Sequence, residues 1–83
     1  MNLYIQICYV NKIRDIFYIK SFGKNLKRIR LEKGFSQEQL AYASDIPISQ
    51  IGRIERGEIN TTICTICAIS KSFEIPAKDL LDF

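Results

Sequence analysis

At 83 residues, with 47% hydrophobic and 25% charged side chains, the chain is sized for one domain near the lower limit for a self-sufficient core, so oligomerisation is expected. The formal charge is only +3, yet residues 1–34 carry eight basic and two acidic side chains, against four and seven in residues 35–83; such asymmetry suits a polyanion partner and equally fits a solvated helix face. Histidine is absent and the three cysteines are an odd number, which, with no cleavable leader, points to a reducing cytoplasm and to no metal or cofactor.

Residues 1–21 read as an apolar arm. Leu3 to Val10 is rich in β-branched and aromatic residues, and Ile16-Phe17-Tyr18-Ile19 repeats that character, so the composition leans towards strands or a β-hairpin. Ile5, Cys8, Tyr9, Ile13, Ile16 and Phe17 also share a face at helical spacing, and periodicity alone does not arbitrate. A third reading is poorly specified sequence ahead of the domain. Gln6, Asn11, Lys12, Arg14 and Asp15 interrupt the apolar run before it reaches membrane-spanning length, so no membrane segment is expected. So many large apolar groups would be a liability on a monomer, which makes the arm a candidate dimerisation element.

The domain proper is expected over residues 22–83. A first helix should run from about Phe22 to Lys33, with Phe22, Leu26 and Ile29 inward, Lys24, Lys27, Arg28 and Lys33 outside that stripe, and Gly34 as its cap. Ser36 and Gln39 form a Ser-x-x-Gln capping box that starts a second helix at Gln37. Leu40 and Ala41 give that helix a small apolar face. Ser44-Asp45 then breaks it after about two turns, because both side chains compete for backbone hydrogen bonds and Asp tolerates a left-handed conformation.

Pro47, with fixed φ and no amide hydrogen, suits the first position of a third helix, whose apolar face holds Ile51 and Ile54 and whose end is capped by Gly57. The opposite face then presents Ile48, Ser49, Gly52, Arg53 and Arg56. Asn60-Thr61-Thr62 is a loop with a ready cap, followed by an Ile63, Ile66, Ile69, Phe73 stripe for a fourth helix. Cys64 and Cys67 fall within that helix with no histidine to complete a zinc site, so they are read as small packing residues. Ile75-Pro76 ends the helix. Ala77 to Leu81 forms a short fifth, with Leu80, Leu81 and Phe83 at or near its exposed end, either closing the core or meeting a second subunit.

Two short helices around a tight turn are the shape of a DNA-reading module. Arg30-x-x-Lys33-Gly34, Ser36-Gln37-x-x-Leu40-Ala41, the apolar Ile46 and Ile51-x-x-Ile54-Glu55-x-Gly57 occur in this order. Residues 23–75 thereby resemble the phage-repressor-like, or Cro/Xre-type, helix-turn-helix domain. The resemblance implies a compact all-α fold of five helices, with the third in the major groove of double-stranded DNA.

It also implies site residues. Ile48, Ser49 and Arg53 match the positions that read base edges. Arg53 is the most informative of them, since a guanidinium can bond both O6 and N7 of guanine, whereas Ser49 can donate to either base type or to phosphate and Ile48 can only touch a thymine methyl or close a dry patch. Gln37 matches the family's phosphate-contacting glutamine, at the positive end of a helix dipole. Gln50, Arg56 and Asn60 are further backbone-contact candidates, which fix register without carrying sequence information. Arg30 matches an arginine that pairs with the glutamate near the end of the reading helix, here Glu55, and ties helix one to helix three. Two departures bear on these assignments: Asp45 stands where the turn usually has Gly, and Pro47 replaces the usual polar cap.

No catalytic constellation is expected. There is no Gly-rich phosphate loop, and Ser36 is explained as a cap rather than a nucleophile. The resulting expectation is a cytoplasmic transcriptional regulator that binds a two-fold-symmetric operator as a homodimer. The competing class is an antitoxin-like interaction module that binds a partner protein, with DNA binding secondary.

Overall fold

The computed structural model describes residues 15–83, five α-helices joined by tight turns. They are α1 (Ile16–Glu32), α2 (Gln37–Ser44), α3 (Ile48–Glu55), α4 (Ile63–Phe73) and α5 (Ala77–Leu80). The all-helical expectation holds for the described residues. The strand reading of Leu3 to Val10 lies outside them.

Helix α1 begins at Ile16, six residues ahead of the expected Phe22. Asp15 is extended, and its carboxylate accepts the Tyr18 amide at 3.0 Å. This side-chain cap satisfies an amide that the first turn would otherwise leave orphaned, and so draws Ile16 to Ile19 into a helix despite their β-type composition. At the other end Gly34 has φ +77°, with its amide on the Leu31 carbonyl and that of Phe35 on the Arg30 carbonyl. These two bonds make up a Schellman closure.

The reciprocal capping box of α2 forms as the sequence indicates: Ser36 Oγ accepts the Gln39 amide at 3.0 Å and Gln39 Oε1 accepts the Ser36 amide at 2.8 Å. Asp45 ends α2 in the left-handed region at φ 58°. Pro47, expected at the first helical position of α3, instead sits one residue earlier as the N-cap, with ψ 139° and no side-chain bond; its carbonyl accepts the Ile51 amide at 3.1 Å. Thr62 caps α4 by accepting the Thr65 amide at 3.2 Å.

One core unites the helices: Phe22, Leu26 and Ile29 of α1, Leu40 of α2, Ile51 and Ile54 of α3, Ile69 and Phe73 of α4, and Leu80 of α5. Phe35 packs edge-on against Phe73, with ring centroids 5.3 Å apart. Full burial of such side chains stabilises by roughly 1.5–3 kcal/mol each relative to exposure.

Two expectations for the C-terminal half are corrected. Ile63 is 84% exposed, because the inward stripe of α4 starts only at Ile66. Cys64 and Cys67 are likewise exposed free thiols rather than packing residues. Leu80 is fully buried and closes the core, one of the two readings that the sequence left open for it. Asn25, a buried residue of α1, donates its amide to the carbonyls of Asp79 (3.2 Å) and Leu80 (2.9 Å) and fastens α5 to α1. Among the described residues no helix is long and apolar enough to cross a membrane.

Candidate nucleic-acid interface

Helix α3 is held from beneath by packing and by charge. Ile51 and Ile54 are buried at 0% and 1% exposure. Gly23 lets α1 cross α3 at backbone contact: a Cβ there would stand 2.4 Å from the Ile54 carbonyl oxygen and 2.7 Å from that of Glu55. No side chain larger than hydrogen fits that crossing without moving one of the helices.

At the carboxyl end of α3, Glu55 is buried and receives three donors. Arg30 Nε reaches Oε2 at 2.6 Å, Arg30 Nη2 reaches Oε1 at 3.1 Å, and Gln37 Nε2 reaches Oε1 at 3.0 Å. Arg30 also donates from Nη1 to the Phe35 carbonyl at 2.9 Å. A single carboxylate thus joins α1, the start of α2 and the end of α3, and its buried charge is both paired and hydrogen-bonded, the condition under which burial is tolerated. Gln37 is half-buried within this cluster, so its amide nitrogen is turned to Glu55.

The outward face of α3 carries Ile48, 45% exposed, together with exposed Ser49 and Arg53, and exposed Arg56 follows at the C-cap. Gln50 is half-buried, and Asn60 is exposed in the loop after α3. Gly52, expected on this face, is buried: a Cβ there would lie 3.0 Å from Arg56 Nη1 and 3.9 Å from Gln37 Nε2, so these two side chains roof it. Gly57, at φ +72°, turns the chain away, and its would-be Cβ would meet Lys20 Cα at 2.8 Å.

Sequence reasoning missed Glu58. Its amide donates to the Arg53 carbonyl at 2.9 Å in the closing turn of α3. Its carboxylate accepts from Arg56 Nε at 2.6 Å and lies 3.7 Å from Arg53 Nε. The bond from Arg56 holds the Glu58 carboxyl below the usual glutamate range, and in turn raises the Arg56 guanidinium above its ordinary value. The sequence signal was a glutamate directly after a helix-closing glycine. A Schellman turn brings that position back beside the last turn of the helix.

The order and geometry of these helices match a known group. The helix-turn-helix family model covers residues 26–80. The chain belongs to the helix-turn-helix family. Among relatives, it is 44% identical over 63 residues to control protein C.BamHI of Bacillus amyloliquefaciens, covering 75% of this chain and 78% of that one. It is 32% identical over 75 residues to control protein C.SmaI of Serratia marcescens, covering 90% and 82%. In structure it is similar to the restriction-modification controller protein C.AhdI from Aeromonas hydrophila, with a TM-score of 0.73 and 34% identity over 75% of this chain and 94% of that one.

Proposed function

We propose that this chain regulates transcription as a homodimer on a two-fold-symmetric operator, with α3 of each subunit in the major groove. That it is a DNA-binding regulator follows from its family. The finer reading is carried by one observation: α3 is pinned by the Arg30–Glu55–Gln37 cluster while its opposite face offers Ser49 and Arg53 to the outside. Rigid presentation matters, because a bidentate base contact tolerates little angular error.

Within this reading Arg53, Ser49 and Ile48 meet base edges. Gln37, Gln50, Arg56 and Asn60 address the phosphates, and Arg30 with Glu55 supports the helix. Gln37 has an acceptor and an outer edge to offer while one of its amide hydrogens stays on Glu55. Dimerisation is supported by the exposed apolar groups Tyr18 (54%), Leu81 (42%) and Phe83 (50%), with the Tyr18 and Phe83 rings 4.9 Å apart. Apolar side chains grouped in this way mark an association surface. The proposed setting is cytoplasmic, and no catalytic role is assigned.

Selecting bound sequences from a random duplex pool tests the proposal. Enrichment of a palindrome whose half-sites lie about one helical turn apart, roughly 34 Å, is expected. Absence of any enriched sequence would contradict it.

A further inference from the structure

Glu58 places a negative charge on the face that the proposed reading gives to DNA. Its side chain is 47% exposed, and those of Arg53 and Arg56 are 56% and 60% exposed. Its grip on the two arginines is unequal. Arg56 Nε is hydrogen-bonded to it at 2.6 Å, whereas Arg53 Nε stands at 3.7 Å, an ion pair without a hydrogen bond. The Lys20 charge also acts on this carboxylate.

A phosphate approaching Arg56 must therefore displace a carboxylate that already occupies the guanidinium. Among the described residues the Arg53 guanidinium donates no hydrogen bond and keeps only the longer ion pair to Glu58. Phosphate contacts carry no sequence information and dominate binding to arbitrary DNA, while base-edge contacts are gained only on the correct sequence. A carboxylate that restrains the first kind more than the second works against indiscriminate binding.

Resting on the DNA-binding reading above, we propose that Glu58 is a built-in competitor for DNA phosphate: it restrains Arg56, leaves Arg53 available for a base edge, and so lowers affinity for non-operator DNA. It acts through Arg56 and needs no base contact of its own.

The test measures binding of the full chain to a labelled mixed-sequence duplex by fluorescence polarisation across about 50–200 mM salt. Glu58→Gln should bind about two- to fivefold tighter at the low-salt end. The slope of log affinity against log salt should steepen by about 0.9, the value for one added phosphate contact. The gain should vanish when Glu58→Gln is introduced into an Arg56→Gln background. Unchanged or weaker binding by Glu58→Gln overturns the inference, as does a gain that persists in full without Arg56. If the parent chain itself binds no duplex, the DNA-binding reading fails instead, and the inference falls with it.

Discussion

Arg30 and Glu55 form a buried ion pair at 2.6 Å that joins the first helix to the end of the third, with side-chain exposures of 8% and 3%. Arg30→Ala leaves the Glu55 charge in a site closed to water, and should cost about 3 kcal/mol or more. For a domain of this size the melting midpoint should then fall by more than about 10 °C. Replacing both residues by Met strands no charge, and should recover at least half of that loss. A double variant as unstable as Arg30→Ala would show that the cost is not that of a stranded charge.

Gly23 is a steric rather than a conformational requirement. A methyl group at this position meets carbonyl oxygens of α3, which are backbone atoms and cannot rotate aside. Gly23→Ala should destabilise by about 1–3 kcal/mol in denaturant unfolding, the usual range for overpacking. DNA affinity should fall with it, since α1 and α3 must separate. Full stability in this variant would mean that the two helices do not approach as closely as described.

Gln37 separates support from recognition. Gln37→Ala removes one of three donors to the Glu55 carboxylate and should lower stability by about 1–2 kcal/mol. Under the proposed phosphate role it should also weaken binding to every duplex by a similar factor. A changed preference among sequences would place Gln37 at a base edge instead.

The Arg56–Glu58 contact has a defined pH signature. Because Arg56 holds the Glu58 carboxyl below the usual range, the contact is fully present above the ordinary glutamate value and is lost as pH falls through the depressed one. A carboxyl-detected NMR titration should show the Glu58 midpoint rising towards the ordinary range in Arg56→Gln. A midpoint that stays depressed would assign the shift to other neighbouring charges.

Local chemistry made much of this fold readable. The Ser36–Gln39 box and the left-handed Gly34 and Gly57 are decided by neighbouring residues, so their patterns survive in the sequence. The start of α1 was obscured because a single cap, Asp15, outweighs the β-type residues that follow it. Leu80 is fastened to α1 by Asn25, a partner more than fifty positions away, and no local pattern announces such a tether. Glu58 was hidden for a geometric reason: helical spacing stops at Gly57, while the turn carries the next residue back to the helix it has left. The Arg30–Glu55 pair was reachable through the family resemblance, whereas the attachment of Gln37 to the same carboxylate emerges only from the packing of α2 on α3.

The proposed reading of a base by the outward guanidinium of α3 is measured most directly by the affinity of the parent chain and Arg53→Ala for the selected operator and all of its single-base variants. The parent should lose about 1–3 kcal/mol when the contacted guanine of one half-site is replaced, and Arg53→Ala should be indifferent at that position while discriminating as before elsewhere. An identical discrimination profile for the two proteins would contradict the assignment of α3 as the reading helix through Arg53.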